Sequence, residues 1–338
     1  MTLLITGAAG FVMSVIARHW LDRDPTARAV ILDQSPLDEA ASRYFAPVEG
    51  RLAIVTADLT RPGWEAELEK HRVTRIVHGA TMTPLSRGTA AEARRDPEAE
   101  EPARIMEVNL MGTVRLLDWA RRQAGLERFI YVSSGAVYRN HGPDWPDEPL
   151  PEDGYVMPLR LYGISKFASE LVLNRYAELF RLSAASVRLP SVYGPMDRVT
   201  ASRNFRHIPN KVAHLALAGR PIRVNTLDSV GDYLHSGDAA EAIARLLLAP
   251  QLNHRAYNIA SGVATTTREL VEYAAEMIPG TKAEIVAPEE ADILQDPAWR
   301  DGMWGAYEIS RITAETGWRP RPVREALHDY IQWIKANE

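Results

Sequence analysis

The 338-residue sequence has no cysteine. That absence removes disulfide frameworks, thiol nucleophiles and cysteine-ligated zinc, and it fits a reducing compartment. There is no apolar run approaching the ~18 residues of a membrane span. The apolar N-terminal stretch lacks a basic flank and is broken by Gly7 and Gly10, so it does not read as a secretory signal. A cytoplasmic protein with no membrane partner is expected. A basic stripe is missing too: 39 Lys and Arg against 44 Asp and Glu give a formal net charge of −5, which argues against a nucleic-acid surface. There is no internal repeat. His207 and His214 lie seven apart with no third ligand in the pattern, so no metal is expected.

What is present is ordinary globular composition, 46% hydrophobic and 25% charged, with short apolar runs alternating with helical periodicity. That alternation predicts βαβ units and a Rossmann-type doubly wound parallel sheet of the α/β class. Strands are expected at 3–6, 29–33, 52–57, 75–78, 129–133 and 185–189, and helices at 12–22, 104–123 and 162–180. Past residue 190 the alternation loosens and Pro, Arg and Trp accumulate. The expected division is a dinucleotide-binding domain of residues 1–190 plus about 225–262, and a smaller substrate-binding lobe of about 191–224 and 263–338. Residues 84–102, charged and bounded by prolines, read as a solvated loop or a lid over the site. Residues 141–154 carry four prolines and exclude a regular element.

The stretch "LLITGAAGFVM", residues 3–13, runs from a strand into a glycine-rich loop. Gly7 and Gly10 stand where a tight turn and close backbone approach to a pyrophosphate are needed, and the following helix aims its N–H groups and dipole at the phosphates. Ala9, Phe11 and Val12 belong to the same cradle. The third glycine position of such loops serves helix-to-strand packing, and here it is Met13, which a helix standing slightly off the sheet would accommodate. The second strand ends at Asp33, whose carboxylate can accept both adenosine ribose hydroxyls and would repel a 2′-phosphate; Gln34, not arginine, follows. NAD, not NADP, is the expected cofactor. Asp58 and Leu59 end the third strand where an adenine would lie, with Asp58 placed to accept from its amino group.

"LYGISK" supplies Tyr162 and Lys166 at i and i+4, on one helix face. A free tyrosine, with a pKa of about 10, becomes a base near neutrality only beside positive charge. Lys166 supplies one such charge and can also hold the nicotinamide ribose. "FIYVSSGAVY" is a buried strand ending in two serines at the carboxyl edge of the sheet, where parallel sheets bind ligands. Ser134 is placed to bond the reacting oxygen, with Ser133 the alternative if the register shifts by one.

Together these pieces resemble the extended short-chain dehydrogenases/reductases, the NAD-dependent epimerase/dehydratase family, over nearly the whole chain. "VNLMGTVRLLDWA", "SSGAVY", "YGISKFASE", "VRLPSVYGP", "GDYLHSGDAAEAI", "YNIASG" and "TGWRP" look like its markers in order. The resemblance implies Ser134, Tyr162 and Lys166 as the catalytic set and places Asn109 beneath it. It also implies Ala80, Thr81 and the Pro190 backbone as nicotinamide-side contacts, and Thr83, Ser134, Ser191, Asn204 and Arg223 as candidate substrate contacts. A homodimer packed through the Asn109 and Tyr162 helices is a further implication. Two departures bear on substrate. Where family members acting on nucleotide-diphosphate sugars carry arginine there is Gly231, with Arg203, Arg206 and Arg223 as candidate replacements; and Gly135 follows Ser134 where dehydratases place an acid. The expected function is NAD-dependent hydride transfer at a secondary alcohol or ketone of a sugar, sugar acid or similar polyol. The alternatives are a nucleotide-diphosphate-sugar 4-epimerase that retains NAD, and a non-catalytic NAD-binding protein.

Overall fold

The computed structural model describes residues 1–83, 97–138, 148–154, 156–200, 206–295 and 305–338. Asn204, Arg203, residues 84–96 and residues 141–147 lie outside them.

The apolar runs of the N-terminal half form β1 (Thr2–Thr6), β2 (Arg28–Asp33), β3 (Leu52–Thr56), β4 (Arg75–His78), β5 (Arg128–Ser134) and β6 (Ala184–Leu189). With the strand Ala256–Asn258 they make a seven-stranded sheet in the order Ala256–Asn258, β6, β5, β4, β1, β2, β3, every pairing parallel. Both faces are covered, which is why these strands read as continuous apolar runs. Leu3 and Ile5 point into one core with Trp20, Ile243 and Tyr257; Leu4, between them, points into the other with Trp64, Trp119 and Phe129. Each of the six expected strands is found within one residue of its expected ends.

The order in which strands are added reverses between β1 and β4, since β2 and β3 lie on one side and β5 and β6 on the other. A crevice opens at the carboxyl ends of strands at such a switch point. The glycine loop after β1, the 79–83 segment after β4 and Ser134 at the end of β5 therefore share one rim.

Of the expected helices, Phe11–Arg23 and Leu161–Phe180 agree closely. The one expected at 104–123 is broken: Pro102–Met106 passes through a π-turn, Glu107–Met111, into Gly112–Ala120. A third core joins Tyr193, Val212, Tyr233, Leu270, Leu327 and Ile331 beyond the sheet. Ile312 and Trp318, from the C-terminal part, pack with Trp20 and Ile243 in the first.

Candidate active site

The glycine loop is set by close approach. Gly7 has φ +82, and a Cβ there would stand 2.9 Å from the Ala80 backbone; one on Gly10 would stand 3.2 Å from the Gly7 carbonyl. Gly10 caps the helix Phe11–Arg23 with no side-chain cap and no acidic residue in its first turn, so nothing there opposes an anion. Met13 is buried, and room for it comes from a neighbour. A Cβ on Gly79 would lie 2.1 Å from its Sδ. The packing glycine has moved from the helix to the end of β4.

Asp33 accepts from Ala9 N at 2.9 Å and from Ser35 N at 3.0 Å. Burial pushes its carboxyl up against the pull of those N–H groups, and the side chain stands beside the loop as a ribose ligand requires. Exposed Gln34 follows it. Asp58 departs from expectation. Its oxygens are engaged by Thr60 N at 2.8 Å, Thr60 Oγ1 at 2.7 Å and Arg104 Nη2 at 2.8 Å, so an adenine amino group would have to share them. Leu59 is buried in the core with Trp64.

Thr6 and His78 form a pin that sequence reasoning missed. Thr6 Oγ1 lies 2.6 Å from His78 Nδ1 and accepts from Gly79 N and Ala80 N; His78 Nε2 lies 2.9 Å from Thr113 Oγ1. The Thr113 hydroxyl proton goes to Asn109 O, so His78 Nε2 carries the ring proton and Nδ1 accepts from Thr6. Burial holds this imidazole neutral, down to about 3, with Lys166 adding to the effect. Asn109 sits in the π-turn, buried. Its Oδ1 accepts from Met82 N at 2.7 Å, and its Nδ2 donates to Met82 O and Ser165 Oγ. It braces the 79–83 segment, so half-buried Ala80, Thr81 and Thr83 stand on the crevice rim.

Ser134 accepts from Ala136 N at 3.1 Å, opening a turn of 3-10 helix, and lies close enough to Tyr162 to favour its phenolate. Ser133 points the opposite way, its hydroxyl donating to buried Glu170, which removes it as the alternative. The helix Leu161–Phe180 passes so close to this turn that a Cβ on Gly163 would stand 2.3 Å from Ala136 O. Lys166, 2% exposed, donates from Nζ to Val132 O at 2.8 Å and lies 5.7 Å from the Tyr162 ring centroid. Burial lowers its ammonium to about 7 against the pull of Glu170, and burial pushes the Tyr162 phenol up to about 12 against the influence of nearby Ser134. Glu170 is gripped by Arg188 through Nε at 3.0 Å and Nη2 at 2.7 Å.

Pro190 and Ser191, half-buried, continue from β6 at the rim, and Ser191–Tyr193 pairs with Tyr233–His235. Arg223, a candidate replacement for the absent arginine, is half-exposed and engaged by Asp292 at 3.2 Å, so a diphosphate would have to share it. At Gly231 a Cβ would stand 2.7 Å from Tyr233 Cζ, so the Tyr233 ring already fills the space a longer side chain would enter. Asp232 instead serves the fold, accepting from Ser261 N and Oγ, Gly262 N and Tyr307 N.

Comparison with known proteins follows this geometry. Residues 3–260 match a family described as the NAD dependent epimerase/dehydratase family. The chain is similar to a UDP-glucose 4-epimerase of Mycolicibacterium smegmatis, 27% identical over 95% of this chain and 94% of that one. It is 26% identical to a dTDP-glucose 4,6-dehydratase of the same organism over 100% and 94%. The crystal structure of the Thermus thermophilus UDP-glucose 4-epimerase in complex with NAD superposes with a TM-score of 0.74 at 24% identity, over 99% of both chains.

Proposed function

This chain belongs to the NAD-dependent epimerase/dehydratase family, and from that premise we propose that it uses NAD to oxidise a secondary alcohol of a sugar or sugar acid. The observation that carries the proposal is the meeting of Ser134, Tyr162 and Lys166 on the rim that also holds Gly7, Gly10 and Asp33. The cradle fits the cofactor: two glycines where a Cβ would obstruct, an uncapped helix N-terminus, and a carboxylate beside them. Gly7, Ala9, Gly10, Phe11 and Val12 would hold the pyrophosphate. Asp33 would hold the adenosine ribose, Lys166 the nicotinamide ribose, and Ala80, Thr81 and Pro190 would flank the ring.

NAD, when bound, supplies the hydride acceptor and a positive charge beside the phenol. The protein does the rest. Tyr162 takes the hydroxyl proton of the substrate on its phenolate oxygen, and Ser134 holds the same substrate oxygen in line. Drawing Tyr162 from about 12 to near 7 requires roughly 7 kcal/mol. Lys166 alone is a partial source, because its own ammonium is already down to about 7. Tyr162 is therefore a neutral phenol without cofactor and becomes a base only in the loaded site.

For the substrate, Gly231 under Tyr233 and the Arg223–Asp292 pair argue for a sugar unit without a nucleotide diphosphate, since that group on leaving water wants bidentate guanidinium partners. The names of the similar proteins favour a second reading, a nucleotide-diphosphate-sugar 4-epimerase. Adding NAD with D-glucuronate, D-galactonate and UDP-glucose in turn separates them. Net formation of reduced nicotinamide with the free acids supports the first reading, and UDP-galactose made from UDP-glucose without net reduction supports the second. Either way, Tyr162→Phe is expected to lower turnover by about 10²–10⁴-fold with NAD binding kept; retained turnover removes the base.

Exposed Met111, Ile164, Leu171 and Phe180 lie on or beside the Asn109 and Tyr162 helices and favour a homodimer across that face. Light scattering at working concentration is expected to give twice the chain mass; a monomer contradicts it. Among the described residues no helix is long and apolar enough to cross a membrane, and a cytoplasmic location is part of the same proposal.

A further inference from the structure

The residue after Ser134 is glycine, and the reason lies 172 positions away in the sequence. A Cβ on Gly135 would stand 1.7 Å from the hydroxyl of Tyr307 and 2.7 Å from its Cζ. The phenol occupies the place where a side chain of residue 135 would be. Tyr307 is held there from the far side. Its backbone N donates to Asp232 at 3.2 Å, and the residues flanking it bond Leu150 through Leu150 N to Ala306 O and Glu308 N to Leu150 O, both at 2.9 Å. Its ring packs edge-on against Tyr138 with centroids 5.6 Å apart, in a small core with Val137, Leu150 and Ala260.

All of this would be served as well by phenylalanine. The hydroxyl is what needs an account: the residue is 1% exposed, and its oxygen is buried with no hydrogen-bond partner among the described residues. An unpaired buried hydroxyl weakens a fold, and replacing it with an apolar group of the same shape does not. A partner that arrives with the ligand would repay its presence. Ser134, the residue before Gly135, lies near Tyr162, so the phenol rests against the backbone one residue from the proposed reacting pair, with no side chain of residue 135 between.

We propose that Tyr307 determines specificity, its phenol hydroxyl bonding a substrate oxygen next to the one held by Ser134. The ligand class is then a polyhydroxylated compound with a hydroxyl, carbonyl or carboxylate oxygen vicinal to the oxidised carbon. A simple secondary alcohol is excluded from that contact. The inference rests on the reading of Ser134 and Tyr162 as the reacting pair, and its failure is distinguishable, because Tyr162→Phe tests that pair without touching Tyr307.

The test compares Tyr307→Phe with the parent protein, with D-glucuronate and UDP-glucose as probes and NAD present. The expected result is a rise of about tenfold in KM for whichever probe is turned over, the size of one lost hydrogen bond, with kcat changed less than threefold. NAD affinity should stay the same, and the melting temperature without ligand should be unchanged or higher. Gly135→Ala, which crowds the phenol from the other side, should reproduce the rise in KM. Unchanged KM in Tyr307→Phe overturns the proposal. A lower ligand-free melting temperature in that variant also overturns it, whether or not a probe is turned over, because the hydroxyl would then have its partner inside the fold.

Discussion

Met13 occupies space that exists because residue 79 has no side chain. Gly79→Ala is therefore expected to impair folding or NAD binding, and Met13→Ala added to it to restore much of what is lost; additive losses in this double-mutant cycle would contradict the contact. Met13→Gly in the parent protein should lower stability by about 3 kcal/mol or more, through a cavity and a helical glycine, without tightening NAD. Calorimetry with denaturant unfolding checks both halves. The places of Gly7, Asp33, Tyr162 and Lys166 in the fold were legible in the sequence because each depends on local spacing: a turn, a strand end, an i,i+4 pair. The fit of Met13 was not, since its partner lies 66 residues on. The hold of Arg104 on Asp58 was not legible for a similar reason, as it comes from another helix.

The strands were legible nearly to the residue, because continuous apolar runs between turns admit few alternatives in a parallel sheet. The π-turn at Asn109 was not, since one residue inserted into a helix barely disturbs apolar periodicity. Nor was the means by which the helix Leu161–Phe180 is held to its strand. Glu170 and Arg188 are both almost wholly buried, and Ser133, Tyr138 and the Glu152 carbonyl complete their bonds. Glu170→Ala leaves a buried guanidinium unpaired, and its expected cost is about 3–5 kcal/mol in urea unfolding; a loss below about 1 kcal/mol would show that the pair is solvated. Asp232, pushed up to about 6 by burial against four donors, ties the 230–235 segment to Ser261, Gly262 and Tyr307. Asp232→Asn turns an amide N–H₂ toward N–H donors and is expected to cost about 2 kcal/mol.

At the scale of the molecule, the reversal of strand order between β1 and β4 gathers residues far apart in sequence onto one rim, and His78 pins the floor of it. Because burial, with Lys166 behind it, holds the His78 imidazole at about 3 in the folded state against about 6.5 unfolded, the unfolded chain takes up the proton first as pH falls. Its contribution is therefore whole above pH 6.5 and lost below it. Relative to a His78→Gln variant, the parent should lose about 1.4 kcal/mol of stability per pH unit between about 6.5 and 4; parallel stability curves would contradict a buried neutral imidazole. The most direct measurement of the whole account is a crystal structure of the protein with NAD. The result predicted is adenosine ribose hydroxyls on Asp33, pyrophosphate over Gly7–Gly10, and the nicotinamide ring beside Tyr162 with Lys166 on its ribose. A ring bound away from Tyr162, or no cofactor in the crevice at saturating NAD, would contradict it.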